Sequence, residues 1–158
     1  MNKNLKGGYF TVLFIGWLLS SCDANRVFEK YWDFEDVTWN LDEGVTFNIQ
    51  EIQHQSTIPV ISIRYTDTYE FHNLYLRFVQ EDSTASILQD TLVNVALFDP
   101  KTGKPLGNGY GNRHTVYDTL LGKGRIFPQT AEIIIWQYMR KDRLEGIESV
   151  GIKLLGDK

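Results

Sequence analysis

The chain has 158 residues, a formal net charge of −4, 13% aromatic residues and a single cysteine. This length is enough for one domain with a hydrophobic core. The acidic balance and the lack of any run of lysines or arginines argue against a nucleic-acid-binding protein. Because one cysteine cannot form a disulfide within the chain, stability must come from buried apolar area, to which aromatic side chains contribute strongly.

Residues 1–21 have the composition of a secretory signal segment. A basic start, with Lys3 and Lys6, leads into an apolar stretch over residues 9–19, and small residues precede Cys22. The apolar stretch is too short to cross a bilayer, which requires about 20 apolar residues. The order Leu-Ser-Ser-Cys resembles the bacterial lipobox. We therefore predict that the chain is cut before Cys22 and that acyl groups such as palmitate on this residue anchor the protein to a membrane.

Residues 22–44 form a predicted lipid-proximal segment that is too aromatic for a disordered tether. We expect it to lead quickly into packed structure, starting with an edge strand. The residues of this segment that are candidates for a surface that contacts a partner are Arg26, Phe28, Tyr31, Trp32 and Trp39. For Trp32 and Trp39, packing in the core is an equally good interpretation of the sequence.

From Val45 to the C terminus, apolar residues mostly recur at every second position. Such alternation predicts strands with one face in a core and the other toward solvent, and it occurs at residues 45–49, 61–65, 74–78, 93–97 and 150–154. The continuous apolar run at residues 133–136 indicates a strand buried on both faces. Turn residues such as those at positions 99–103 separate the segments, and no long helical apolar period is present.

This pattern predicts an all-β protein with a single antiparallel β-sandwich over residues 45–158. The closing strand after Gly146 and the long connections favour a jelly-roll-like strand order. Because no linker, repeat or low-complexity stretch divides the chain, we expect residues 22–158 to fold as one unit.

No group of residues in the sequence predicts catalysis, a metal site or a cofactor. His54, His72 and His114 are far apart and lack the close spacings typical of zinc ligands. Phosphate loops and the Gly-x-Ser-x-Gly and His-Glu-x-x-His motifs are absent. Arg77 lies on the polar face of a predicted strand, where a cross-strand ion pair with an acid such as Asp90 contributes only about 0.2–1 kcal/mol. We therefore predict that the protein is not an enzyme.

Several short segments spread over the chain carry a family resemblance. They are SCD (21–23), NRVF (25–28), IRYT (63–66), NLYL (73–76), DTL (90–92), QYMR (137–140), LEGI (144–147) and VGI (150–152). In this order the segments resemble the GldH family of gliding-motility lipoproteins from the Bacteroidetes. The resemblance implies an envelope lipoprotein that is associated with the gliding apparatus and with a protein-secretion system. It implies no catalytic reaction, and Cys22 is the only site residue that it carries over.

The residues and the resemblance together predict an accessory lipoprotein whose β-sandwich presents a surface to other envelope proteins. Its partners are then the membrane, through the lipid on Cys22, and proteins of the gliding and secretion machinery. The alternative is an envelope glycan-binding module, because exposed aromatic rings on a β-sandwich can stack on sugars. We expect the protein on the periplasmic face of the outer membrane rather than on the inner membrane.

Overall fold

The computed structural model describes residues 25–52, 57–120 and 125–156. The predicted signal segment and the predicted acylation site at Cys22 lie outside the described residues and remain predictions. Within the described residues, the regular structure is almost entirely strand, interrupted by short 3-10 turns at Glu35–Val37 and Gln50–Ile52. The predicted all-β class is confirmed.

Eleven strands are present in the described part of the chain, and all of their pairings are antiparallel. In chain order they are β1 (Arg26–Asp33), β2 (Thr38–Asn40), β3 (Val45–Asn48), β4 (Thr57–Thr66), β5 (Asn73–Glu81), β6 (Ile87–Ala96), β7 (Asn108–Tyr110), β8 (Arg113–Thr119), β9 (Glu132–Gln137), β10 (Arg143–Glu145) and β11 (Ile147–Gly156).

The strands form two main sheets that enclose the core. One sheet has five strands in the order β1-β11-β4-β8-β7, and the other has four strands in the order β3-β9-β5-β6. Strands β2 and β10 pair with each other as a separate two-stranded ribbon. The predicted antiparallel sandwich is confirmed.

The pairing of the longer strands follows the jelly-roll order that the sequence predicted. When the three-residue strands β2, β7 and β10 are set aside, eight strands remain. The first pairs with the last, β1 with β11, and the second with the seventh, β3 with β9. The third pairs with the sixth, β4 with β8, and the fourth with the fifth, β5 with β6. This nested pairing is that of a jelly roll, and it places the first and last strands, β1 and β11, side by side.

Side chains on the inner faces of both sheets fill the core. Burial of each large apolar side chain contributes about 1.5–3 kcal/mol, so the alternation that the sequence shows along these strands is also the main source of stability. The fully buried side chains include Ile61, Ile63 and Tyr65 of β4, Leu74, Leu76 and Phe78 of β5, Ile133 and Ile135 of β9, and Val150 of β11.

Strand β9 differs from its prediction, because it is buried on one face rather than on both. Ile133 and Ile135 face the core, whereas Trp136 lies on the outer face and is only partly buried. The indole of Trp136 covers Gly44, where a Cβ atom would lie only 2.3 Å from its Nε1. The guanidinium carbon of Arg77 also lies near the indole, 5.4 Å from the ring centre. Gly44 and Arg77 therefore cover part of the Trp136 ring on the outer face of the sheet.

Arg77 also forms the predicted cross-strand ion pair, which is thereby confirmed. Its guanidinium donates to both carboxylate oxygens of Asp90, and the shortest N–O distance is 2.7 Å. The hydrogen bonds from Arg77 hold the pKa of Asp90 below its usual value. Because both side chains are well exposed, the pair contributes little to stability.

A buried glutamine holds the loop that precedes β9. The Gln80 side chain is fully buried, and its amide nitrogen donates to the carbonyl oxygen of Arg125 at 2.9 Å. Its amide oxygen accepts hydrogen bonds from the backbone N–H of Phe127 at 3.1 Å and from Oγ1 of Thr130 at 2.8 Å. Since one side chain satisfies both donors and acceptors of the loop, Gln80 fixes residues 125–130 against the end of β5.

Candidate partner surface on the first strand

Strand β1 is an edge strand whose two faces differ. It pairs with β11 on one side, and no other strand of the described residues pairs with it. Lys30 and Trp32 stand opposite Ile152 and Val150, which face the core. Because successive side chains of a strand point to opposite faces, Tyr31 lies on the outer face of the sheet. The residues predicted from sequence to form one surface are thus divided between two faces of one strand.

Trp32 is half-exposed although it lies on the inner face, because β1 is at the edge of the sandwich. Its exposed fraction is 50%. The indole Nε1 donates to Oε1 of Glu43 at 3.4 Å, and the side-chain amide of Asn40 donates to the other oxygen of Glu43 at 3.3 Å. Glu43 therefore orients the indole while leaving its ring open. Accessible tryptophan rings are enriched in the energetically important parts of protein interfaces.

Trp39 does not belong to this surface, which corrects its assignment as a candidate contact residue. Its side chain is fully buried and stacks on Phe34, with ring centroids 4.7 Å apart. Its Nε1 donates to the backbone carbonyl of Glu43 at 2.8 Å. Strand β2 places Trp39 opposite Leu144 of β10, which is also buried. Of the two interpretations that the sequence left open, the structure supports core packing.

Tyr31 lies across the outer face of the sheet, where small residues make room for its ring. A Cβ atom on Gly151 would be 2.4 Å from Cδ1 of Tyr31 and 2.5 Å from Oγ of Ser62. The Tyr31 hydroxyl donates to Glu29, which also accepts from the guanidinium of Arg26. Burial and the Glu29 contact raise the pKa of Tyr31, while the hydrogen bond from Tyr31, followed by Arg26, lowers the pKa of Glu29. Near neutral pH the carboxylate is therefore ionised and the phenol remains a donor.

A cavity of about 600 Å³ opens beside Phe28, between β1 and the end of β3. Phe28 and Lys30 line it from one side and Gln50–Ile52 from the other. The ammonium group of Lys30 lies 5.5 Å from the centre of the Phe28 ring. The inner side of β1 thus offers a recess of mixed polarity that can accept a side chain of another molecule.

Sequence reasoning did not identify Tyr117, which is the second exposed aromatic residue near Tyr31. The register places Tyr31, Gly151, Ser62 and Tyr117 in one row across β1, β11, β4 and β8. Tyr117 is 57% exposed. Only the pairing register shows that two small residues separate the tyrosines, so no local sequence signal could have joined them.

Among the described residues, no cluster of three or more histidine, cysteine, aspartate or glutamate side chains is arranged to hold a metal ion. His114 instead contacts Asp67, with 2.8 Å between its Nε2 and the Oδ1 atom. In the ranges that the structure describes, no helix is both long and apolar enough to span a membrane.

Comparisons with known proteins assign the chain to a family. The family model of the GldH lipoprotein matches residues 26–154. The gliding motility lipoprotein GldH homolog of Christiangramia forsetii is 29% identical over 156 residues, which span 92% of this chain and 93% of the relative. The gliding motility lipoprotein GldH of Flavobacterium johnsoniae is 31% identical over 94 residues, which span 59% of this chain and 57% of the relative.

Among solved structures, the coat protein of Tobacco streak virus is 8% identical to this chain, with a TM-score of 0.31. The match covers 80% of this chain and 85% of the coat protein, but a score this low supports no statement about function. The family match, in contrast, is a sequence match over most of the fold. It begins at the first residue of β1 and extends into β11. It thus includes both main sheets, and this chain belongs to the GldH lipoprotein family.

Proposed function

We propose that this protein is a non-enzymatic accessory lipoprotein of the cell envelope, anchored through an acylated Cys22. It would work with the gliding-motility machinery and the protein-secretion apparatus associated with it. The family match over residues 26–154 carries this proposal, because the matched relatives are named as gliding motility lipoproteins. The single cysteine, directly after a signal-like segment, supports the anchor. We propose the periplasmic face of the outer membrane, rather than the inner membrane, as its location.

The proposed contact with another envelope protein is the β1 flank, which comprises Arg26, Phe28, Tyr31 and Trp32. In the described residues β1 has a paired neighbour on one side only, so its other edge can offer backbone hydrogen bonds to a partner strand. Tyr31 and Trp32 add accessible aromatic rings, and the cavity beside Phe28 adds a recess. Because the lipid concentrates this flank at one membrane, a weak interface is sufficient.

Replacing Trp32 with alanine is expected to weaken capture of the partner without unfolding the domain. A central interface tryptophan typically contributes about 2 kcal/mol or more to binding, whereas Trp32 is half-exposed and, among the described residues, its side chain makes one long hydrogen bond, to Glu43. The measurement is quantitative crosslinking and pull-down of the tagged, lipidated protein from its own membranes. Thermal unfolding of the purified domain provides the stability reading.

Tyr110→Ala is the matched control, since Tyr110 is the most exposed large apolar side chain of the described residues and lies on β7, at the opposite edge of the sheet from β1. Cys22→Ala tests the anchor. We expect gliding or secretion proteins to be recovered with the wild type and Tyr110→Ala, reduced with Trp32→Ala, and lost with Cys22→Ala. If Trp32→Ala recovers as much partner as Tyr110→Ala does, the β1 flank is not the contact surface.

A glycan-binding module is the second candidate, and the row of Tyr31, Gly151, Ser62 and Tyr117 favours it. Two accessible rings separated by small residues resemble a platform for sugar stacking. On this hypothesis, envelope glycans bind the lipid-free domain directly, and Tyr117→Ala reduces the affinity at least tenfold while Tyr110→Ala does not. Glycan arrays followed by calorimetry give the measurement. Binding that is equal in both variants, or no binding, would reject the glycan hypothesis.

A further inference from the structure

Loops and strand ends of both sheets meet where the described chain begins. Asn25 accepts a hydrogen bond from the N–H of Gly156 at 2.8 Å. At the same end, the N–H of Ile49 donates to the carbonyl of Ala131 at 2.8 Å, and the N–H of Ala131 donates to Glu81 at 2.8 Å. Phe28 of β1 lines the same cavity as residues 48–52, which follow β3, and β4 begins at Thr57 opposite Gly156. We call this part of the sandwich the anchor end: Asn25, Gly156, the loops at residues 49–52, 82–86 and 125–131, and Ile87 at the start of β6.

The anchor end lies close to the proposed site of acylation. Only residues 23 and 24 stand between Cys22 and Asn25, so a fully extended chain spans at most roughly 11 Å between them. Since Asn25 is hydrogen-bonded to Gly156, the sheet itself begins within this distance of the anchored residue. The sandwich therefore cannot stand far above a bilayer that holds the acyl chains of Cys22.

Two large apolar side chains of the anchor end are exposed to solvent. Phe127, in the loop before β9, is 43% exposed, and Ile87, at the start of β6, is 58% exposed. The loop that carries Phe127 has a fixed shape, because Gln80 holds the backbone at residues 125 and 127 by hydrogen bonds. Both apolar side chains are thus presented at the end of the molecule from which the anchor emerges.

We infer that the anchor end rests on the lipid surface, with Phe127 and Ile87 reaching the headgroup region of the bilayer that holds Cys22. This inference rests on the proposed acylation of Cys22. It also orients the β1 flank, because β1 then runs away from the membrane. Trp32 lies six residues beyond Arg26 along the strand and is therefore roughly 20 Å farther from the bilayer. In this orientation, the contact between Trp32 and a partner lies above the lipid headgroups.

The charge of the protein decides which kind of lipid contact is expected. The chain is net acidic at −4, and the loops of the anchor end carry the carboxylates of Glu51 and Asp82 together with the guanidinium of Arg125. Because this balance is not basic, attraction to anionic lipids is not expected to be the main force that holds this end on the membrane. The contact that we infer is apolar, so it should persist when the salt concentration is raised.

The sole native cysteine makes a direct test feasible, because acylation removes its thiol. Phe127→Cys, Ile87→Cys and Tyr110→Cys each introduce one reactive thiol into the lipidated protein. Tyr110 is 96% exposed and precedes Arg113, which is opposite Thr66 at the far end of β4, roughly 30 Å away. Each thiol receives the same fluorophore, and the proteins are reconstituted into phosphatidylethanolamine and phosphatidylglycerol vesicles that contain a nitroxide-labelled lipid.

We expect the nitroxide lipid to quench the label several-fold more at positions 127 and 87 than at position 110, at both low and high salt. If the label at either of these positions is quenched no more than the label at 110, the inference is overturned. Ser83→Cys, in the loop at residues 82–86, replaces either variant whose unfolding curve shows that it has not folded.

Two further readings separate this inference from the proposed function. Mass spectrometry of the N-terminal peptide reports acylation of Cys22, and flotation with the vesicles reports anchoring. If Cys22 is not acylated, the anchoring part of the proposed function and this inference both fail. If Cys22 is acylated and the protein floats but the labels at 127, 87 and 110 are equally quenched, only the inferred orientation fails.

Discussion

Replacing Trp39 with alanine is expected to lower the free energy of unfolding by about 3–5 kcal/mol. Trp39 is fully buried, stacks on Phe34 and stands opposite Leu144, so its removal leaves a cavity that rigid neighbours cannot fill. The change also leaves the carbonyl of Glu43 without the hydrogen bond from the indole. Chemical denaturation followed by circular dichroism measures the loss.

Trp32→Ala is the matched control for this experiment, because the same side chain is removed from a half-exposed position seven residues earlier. We expect Trp32→Ala to lower the free energy of unfolding by no more than about 1 kcal/mol, as is usual for surface substitutions that break no buried contact. Equal losses of stability in the two variants would contradict the assignment of Trp39 to the core and of Trp32 to the surface.

Replacing Gln80 with leucine is expected to destabilise the protein by about 2 kcal/mol or more. The side chain is fully buried, and leucine cannot accept the hydrogen bonds from Phe127 and Thr130 or donate to the carbonyl of Arg125. Each buried polar group that loses its only partner costs about 1–3 kcal/mol, and entry of water into the loop recovers part of this. Hydrogen exchange at residues 125–131 should accelerate more than exchange in β4 or β11.

Gln129→Leu provides the control, since Gln129 belongs to the same loop but is exposed. The same chemical change there should leave the unfolding free energy within about 0.5 kcal/mol of the wild type. Unchanged exchange at residues 125–131 in Gln80→Leu would show that the buried amide does not hold the loop.

The strands of the sandwich could be predicted because each carries its own signal. The alternating apolar residues of β4 and β5 are all buried, although β4 also buries Ser62 and β5 also buries Val79 and Gln80. The jelly-roll order was also predictable in outline, because a closing strand after Gly146 and the long connections between strands favour it. The alternation does not determine the register in which neighbouring strands pair. It is this register that places Tyr31 and Tyr117 in one row.

The candidate contact residues were harder to place, because their burial depends on distant pairing. Trp39 is buried by a three-residue strand that pairs with Arg143–Glu145, about a hundred residues later in the chain. Nothing near Trp39 reveals that partner. Trp136 follows three isoleucines and has the sequence context of a core residue, yet it covers Gly44 on the outer face. Buried Gln80 was missed for a related reason, since its loop partners lie 45–50 residues away.

The adjacency of β1 and β11 has a mechanical consequence for a protein tethered at its N terminus. A pull on the anchor is transmitted along the axis of β1, parallel to the strands and perpendicular to the hydrogen bonds that join β1 to β11. These bonds are then loaded in shear and share the force over the whole of Arg26–Asp33, instead of opening one after another from one end. If the partner holds Trp32, the tension runs between the anchor and the partner mainly along β1, and only the part that passes through the bonds to β11 reaches the rest of the sandwich.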